Sequence, residues 1–168
     1  MAYHIAGPVG FQPIAETSAT KLHPLGRVVS ATDDGVTLAG LGSGEFIYLK
    51  GIASTVVGSM VDYDQYLGTT ALSPATGGIG SVAVAMSVNV ANQYGWYHIT
   101  GTAAVKAPNA MTPGSEVYML AATPGSVDDT DVANEQIMNA KVSTTTGTPG
   151  AGLALIQINR PFHQGQID

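Results

Sequence analysis

The stretch Gly80–Lys106, which reads GSVAVAMSVNVANQYGWYHITGTAAVK, decides the fold that we predict for this chain. Its first half alternates bulky with small residues and places Val82, Val84, Met86 and Val88 on one face. Side chains alternate between the two faces of a strand, so this pattern predicts a strand with a bulky core face and a face suited to close packing.

A second alternating run, Trp96–Lys106, follows a predicted turn at Asn92–Gly95 and is the longest predicted strand of the chain. It begins with the single tryptophan, Trp96, which we expect to lie in the core, where large aromatic side chains contribute most. Two alternating runs joined by a short polar turn are typical of an antiparallel hairpin.

Similar runs continue outward from this stretch on both sides. They are separated by Gly, Pro, Ser and Thr, and they predict strands at Arg27–Thr32, Phe46–Lys50, Thr55–Tyr63, Gly68–Leu72, Glu116–Ala121, Ile137–Thr144 and Leu153–Asn159. Arg160-Pro161 is expected to end the last strand, and Asp131–Ala140 is the best candidate for a turn or two of helix. Many strands without helices between them predict an all-β fold, either an antiparallel β-sandwich or a small barrel, of jelly-roll-like or β-tulip-like form.

The first 26 residues differ from the rest of the 168-residue chain. Pro8, Pro13 and Pro24 interrupt them, and neither a helical nor a strand period persists. Proline fixes φ and pushes the preceding residue toward extended geometry. The sequence therefore predicts an extended N-terminal arm at 1–26 and a single β domain at 27–168.

Charge is scarce throughout the chain. Charged residues make up 11 % of it, and six Lys and Arg against twelve Asp and Glu give a net charge of −6. This balance argues against binding to nucleic acid or to an anionic membrane surface, both of which attract cationic proteins. A free monomer usually carries more charge than this, so we interpret the exterior as one that other protein subunits partly cover.

No pattern typical of a catalytic, cofactor or metal site is present. The chain has no cysteine, and its glycine-rich stretch at Gly40–Gly44 matches no phosphate-binding loop. The four histidines lack metal-site spacing, and the acids of Asp128–Glu135 lack the order of a calcium loop. We therefore predict a protein that is not an enzyme, without cofactor or metal.

Three segments carry a resemblance to a known family. They are YGWYHITG at Tyr94–Gly101, GSEVYMLAATPGSVDD at Gly114–Asp129 and GLALIQINRPF at Gly152–Phe162. Their order resembles the capsid decoration, or cement, proteins of tailed bacteriophages, from Gly44 to Phe162. Such proteins sit on the outside of an icosahedral head and clamp neighbouring major capsid subunits, and the family offers no catalytic residues to carry over.

The resemblance implies a location on the outer surface of the virion and two kinds of partner. One is the major capsid protein, and the other is further copies of this chain, with a trimer favoured and a dimer possible. An extended arm could add a strand to an exposed sheet edge of the capsid. The candidate contact residues are the apolar and proline side chains of the arm: Tyr3, Ile5, Pro8, Phe11, Pro13, Ile14, Leu22 and Pro24.

Two other functions fit the sequence. One is a phage tail or fibre-joining structural module. The other is a carbohydrate-binding β-sandwich in which Tyr66, Trp96 and Tyr97 form an exposed platform for stacking sugars.

Overall fold

The strands of the chain follow the alternating runs of its sequence. The computed structural model describes residues 11–33 and 41–165, together with the backbone of residues 3–5. The strands are β1 (Tyr3–Ile5), β2 (Thr17–Ser18), β3 (Val28–Asp33), β4 (Ser43–Lys50), β5 (Met60–Asp64), β6 (Thr69–Leu72), β7 (Val82–Ala85), β8 (Tyr94–Lys106), β9 (Glu116–Met119), β10 (Val127–Asp128), β11 (Gln136–Val142) and β12 (Leu153–His163). No α-helix occurs in these described ranges, and the helix candidate Asp131–Ala140 instead leads into β11. The all-β prediction is confirmed.

Five of these strands close into a small barrel. β4 pairs with β8 and β6, β6 with β5, β5 with β7, and β7 with β8, so the hydrogen-bonded ring returns to its starting strand. Pairing in the ring is antiparallel except between β4 and β6, which run parallel and meet at Lys50 and Thr69. From β8 the sheet continues outward through β12, β11, β9 and β10, and from β4 through β3 and β1.

The interior of the barrel is filled by alternate residues of its strands: Ile47, Leu49, Val61, Ala83, Ala85, Tyr97 and Ile99. The small face predicted for β7 therefore points inward, where Ala83 and Ala85 pack beside the Tyr97 ring. Asn89 donates a hydrogen bond from Nδ2 to the Tyr97 hydroxyl at 2.9 Å. Burial raises the pKa of Tyr97 to about 12, so this phenol stays protonated inside the barrel.

The strands β12, β11, β9 and β10 that continue the sheet from β8 are called the sheet extension here. The bulky face of β7 packs into a second core, which lies between the barrel and this extension. Val82 and Val84 lie there with Val105 of β8 and Ile156 of β12. Their predicted core role is confirmed. Val88, which the alternation placed on the same face, is 53 % exposed because it lies beyond the end of β7.

The last strand runs past the proline expected to end it. β12 continues through Arg160-Pro161 to His163, so that prediction is wrong. Arg160 has a φ of 47°, and the register of β11 against β12 shifts between Met138 and Ala140, as in a β-bulge. A strand tolerates proline at a bulge, because the missing N–H removes no regular ladder bond there.

A close approach of two backbones at one end of the barrel can be tested directly. Gly51 lies against Asn89, and a Cβ at position 51 would overlap the Asn89 carbonyl group. We expect Gly51→Ala to lower the free energy of unfolding, measured with urea, by about 1–3 kcal/mol, because main chain must shift to admit the methyl group.

Gly150→Ala is the matched control for this substitution. A Cβ at position 150 would have only Leu153 within range, at 4.0 Å. This control should change stability by less than about 1 kcal/mol. Equal losses in the two variants would contradict the close approach at Gly51.

Candidate functional site

The eight residues predicted to contact a partner fall into two groups in the structure. The side chains of Tyr3 and Ile5, and the whole of Pro8, lie outside the described residues. The backbone of β1 pairs antiparallel with β3 at one end of the sheet. The other five predicted residues belong to residues 11–26, which we call the N-terminal segment.

Within the N-terminal segment, these five side chains differ in their exposure. Pro13, Leu22 and Pro24 are exposed and Phe11 is half-buried, so these four remain candidates for contact with a partner. Ile14 is only 1 % exposed. This burial contradicts the predicted partner contact of Ile14, because a side chain enclosed in the core of its own chain offers no surface.

Ile14 is buried because the N-terminal segment covers the outer face of β4 and β8. There it packs in one apolar cluster with Phe46, Tyr48 and Trp96. The two residues of β2 add a short antiparallel pairing to the start of β8. The predicted division between an arm and a β domain at residue 26 therefore does not hold for residues 11–26, which follow an irregular path but share a core with the barrel.

A buried glutamine anchors this segment through three hydrogen bonds. Trp96 donates its Nε1–H to the Gln12 carbonyl at 3.0 Å, and the Tyr48 hydroxyl donates to Gln12 Oε1 at 2.9 Å. Gln12 Nε2 in turn donates to the Tyr94 carbonyl at 3.1 Å. Burial raises the pKa of Tyr48, which keeps the hydroxyl a donor. Sequence reasoning missed Gln12, because no local pattern marks a glutamine as an anchor.

The His23 ring also helps to hold the N-terminal segment in place. It stacks on Phe11 with ring centroids 5.0 Å apart, and its Nε2 accepts a hydrogen bond from the Gln12 backbone N–H at 3.3 Å. Burial, and secondarily the charge of Arg27, lower the pKa of His23. A neutral imidazole is what an accepting ring nitrogen requires, so both effects favour this contact.

The structure does not contain the exposed sugar-stacking platform that the sequence suggested for Tyr66, Trp96 and Tyr97. Trp96 and Tyr97 are each 0 % exposed, which confirms the expected core position of Trp96 and removes two of the three proposed aromatic residues from the surface. Tyr66 alone is open, at 94 % exposure. One tyrosine on a turn does not form a stacking platform.

Three exposed apolar residues are the strongest candidates for a partner contact. Tyr66 and Leu67 occupy the turn between β5 and β6, and Leu22 lies in the N-terminal segment; they are 94 %, 59 % and 53 % exposed. The turn touches the end of that segment, since Gly68 packs directly against Leu25. We call the adjacent pair Tyr66 and Leu67 the exposed apolar surface, and Leu22 stays a separate candidate.

A buried polar cluster joins β12 to β5. His163 Nε2 lies 2.8 Å from Asp62 Oδ1, and the Ser73 hydroxyl donates to the same oxygen at 2.6 Å. The serine contacts the carboxylate rather than the imidazole, so the serine–histidine contact of an activated nucleophile is missing. Ser73 is also 0 % exposed, which closes it to a substrate. This arrangement ties two strands together.

The described part of the chain has neither a metal-binding cluster nor a membrane-spanning helix. Among the residues that the structure places, no group of three or more His, Cys, Asp or Glu side chains could hold a metal ion. The same residues contain no helix long and apolar enough to cross a membrane.

Comparisons with known proteins leave the family of this chain open. No family model matches it, and no curated protein and no solved structure is significantly similar to it. The all-β barrel described above is therefore established by the structure of this chain alone, and the resemblance to decoration proteins rests on the three quoted segments.

Proposed function

We propose that this protein is a viral structural protein that binds the outside of an icosahedral phage head and stabilises it by joining neighbouring major capsid subunits. The observation that carries the proposal is the exposed apolar surface on a chain with few charges. Tyr66 and Leu67 lie on a turn and are 94 % and 59 % exposed. Contact of their apolar surface with water is unfavourable. Contiguous exposed apolar surface is typical of protein interaction sites, and this adjacent pair is the place where we propose such a contact.

The composition of this surface suits an interface better than a solvated turn. Tyrosine is one of the residues that most often dominate interface energetics, because it combines a large apolar area with a polar tip. The 11 % charged residues of the chain leave little charge to be desolvated on docking. An interface of ordinary size, roughly 1,600 Å² in total, supplies micromolar to picomolar affinity.

Binding of this kind would stabilise a shell by mass action. A ligand that binds only the assembled form favours it by RT ln(1 + [L]/Kd), about 2.7 kcal/mol per site at a hundredfold excess over Kd. Side chains on the surface of the folded domain make this contact. We do not propose residues 11–26 as a strand added to the capsid, because Gln12 and Ile14 hold them against the core of the chain itself.

The test is co-sedimentation of the purified protein with capsid shells that lack it, assembled from the major capsid protein of the same phage. The wild type should bind over the whole shell. Tyr66→Ser/Leu67→Ser should weaken binding at least tenfold, since loss of about 1.4 kcal/mol is already a factor of ten. Val56→Ser/Val57→Ser, which alters another adjacent pair of exposed apolar residues, each 41 % exposed, is the matched control and should bind as the wild type does.

Two results would count against this proposal in different ways. Failure of the wild type to bind shells, or its presence only at the tail of the particle, would overturn the capsid function. Normal shell binding by the Tyr66→Ser/Leu67→Ser variant would leave that function in place and overturn the assignment of the contact surface.

A further inference from the structure

A cleft whose lining residues are mainly of polar type, and which we call the polar cleft, lies on the sheet extension, on the face opposite the second core. Its volume is about 580 Å³, within the roughly 300–1,000 Å³ typical of sites for small ligands. Strands β8, β9, β11 and β12 provide its lining, which includes Thr100, Thr102, Glu116, Lys141, Gln157 and Asn159. Of the described residues, neither the predicted contact residues of the N-terminal segment nor the exposed apolar surface takes part in it.

Irregularities in three adjacent strands coincide with this cleft. Gly101 of β8 has a φ of 118°, Asn139 of β11 a φ of 59°, and Arg160 of β12 a φ of 47°. In the register of the sheet, Ile158 lies opposite both Gly101 and Ala140, so the irregular positions fall side by side. Bulges and left-handed non-glycine residues are unfavourable locally and recur beside functional sites, where they bend a sheet or redirect a side chain.

The strands around the cleft are already paired with neighbouring strands on both sides. β12 lies between β8 and β11, and β11 lies between β12 and β9, so these strands offer no open edge to a peptide. A ligand must therefore be recognised by side chains. The floor offers amides at Gln157 and Asn159, which can donate and accept hydrogen bonds, and the hydroxyl oxygen of Thr100 as an acceptor.

The charges at the cleft cancel within two ion pairs. Lys141 Nζ lies 2.7 Å from Glu116 Oε1 at one side. Arg160 lies 2.9 Å from Glu45 Oε2 at the other, and the Thr100 hydroxyl donates to the same carboxylate oxygen at 3.2 Å. The hydrogen bond from Lys141 lowers the pKa of Glu116, so this carboxylate is an acceptor at neutral pH. Neither cation is left over to attract an anionic ligand.

We propose that this cleft binds a short, uncharged saccharide, held by hydrogen bonds between its hydroxyl groups and the threonine, amide and carboxylate groups of the lining. A neutral ligand rich in hydroxyls matches a lining that offers both donors and acceptors and no net charge. Among the described residues the lining includes no aromatic ring, so recognition depends on hydrogen bonds and on contacts with aliphatic groups rather than on ring stacking. This site is separate from the exposed apolar surface, and the inference does not rest on the proposed capsid function.

The experiment is an NMR titration of the isotope-labelled full chain with four neutral trisaccharides: maltotriose, cellotriose, mannotriose and tri-N-acetylchitotriose. At least one should cause saturable shifts of the backbone amides of Thr100, Thr102, Asn139 and Gln157. A sulfated disaccharide should bind more weakly than the best of these neutral sugars. Gln157→Ala should weaken binding roughly tenfold, the effect of losing one or two hydrogen bonds.

Gln65→Ala is the matched control, because it removes another exposed glutamine amide, in the turn between β5 and β6. Its affinity for the same sugar should equal that of the wild type. Absence of saturable shifts with all four sugars, shifts that map elsewhere on the barrel, or tighter binding of the sulfated sugar would each overturn the proposal. An equal loss of affinity in Gln65→Ala and Gln157→Ala would do the same.

Discussion

Ile14→Ala is expected to lower the free energy of unfolding by about 2–5 kcal/mol, although Ile14 precedes every strand of the barrel. The side chain is 1 % exposed and packs with Phe46, Tyr48 and Trp96. Its truncation removes buried apolar surface and leaves a cavity that the rigid β4 and β8 strands cannot fill. Urea unfolding followed by the fluorescence of the single tryptophan measures the effect next to the site of the change.

Leu22→Ala provides the matched control for this prediction. It also shortens an aliphatic side chain of the N-terminal segment, but at a position that is 53 % exposed. Substitutions at exposed positions away from special features change stability by about 0.5 kcal/mol, so this variant should lose less than about 1 kcal/mol. If both variants lost the same small amount, the segment would not be part of the folded core.

Because Ile14 and Gln12 pack against the barrel, deletion of the N-terminal segment would destabilise the whole chain. Deleting residues 1–20 removes Gln12 and Ile14 together, which uncovers Trp96 and leaves its indole N–H without the Gln12 carbonyl. Loss of shell binding by such a truncated chain would therefore report unfolding as much as a lost contact. Point substitutions on the exposed apolar surface separate the two effects, because their side chains point into solvent.

Acid is expected to destabilise the protein through His98, by about 2 kcal/mol between pH 7 and about pH 5. The ring is 0 % exposed, lies 4.4 Å from the Phe46 ring between centroids, and its Nε2 lies 2.8 Å from the Thr100 carbonyl oxygen. Burial lowers the pKa of His98 to about 4, from an ordinary value of 6.5. Between these two values the unfolded chain binds a proton that the folded chain does not.

The sign of this effect follows from proton linkage. The stabilisation is complete above about pH 6.5, and it is lost progressively as the pH falls toward about 4. Urea unfolding at a series of pH values gives the slope. The glutamine of His98→Gln cannot titrate. The slope of its unfolding free energy against pH in this window should therefore be smaller by nearly one proton, whatever the stability of the variant at pH 7.

His23→Gln is the comparison for the acid experiment. The pKa of His23 is also lowered, chiefly by burial, so its removal should reduce the slope in the same direction. The ring of His23 is 9 % exposed and that of His98 is 0 % exposed, and the larger reduction is therefore expected for His98→Gln. An unchanged slope in His98→Gln would show that folding does not lower the pKa of His98.

The class of fold and most strand positions could be predicted because they depend on local alternation. β7 and β8 lie within the stretch that alternates most clearly, and Val84 pairs with His98 across them as the hairpin pattern predicts. The alternation could not tell which face of β7 is enclosed by the barrel. Both faces are buried, since the alanines face the barrel interior and the valines face the second core.

The polar cleft and the buried polar contacts could not be predicted in this way. Arg160-Pro161 has the local appearance of a strand end, yet β11 and β12 remain paired beyond it as far as Ile137 and His163. The bulges that shape the cleft belong to β8, β11 and β12, and they become neighbours only in the assembled sheet. Similarly, Asp62 and His163 are 101 residues apart in the chain.

The all-β class, the positions of most strands and the low charge of the chain could be predicted from the amino-acid order alone. These properties follow from a two-residue period and from composition, which are local and additive along the chain. The place of the N-terminal segment became known from the folded structure, because the contact that holds it, from Trp96 to Gln12, joins residues 84 positions apart. The same proline-rich composition suits an extended arm or a covering segment, and what distinguishes them is the apolar face of β4 and β8 that Ile14 shields from water.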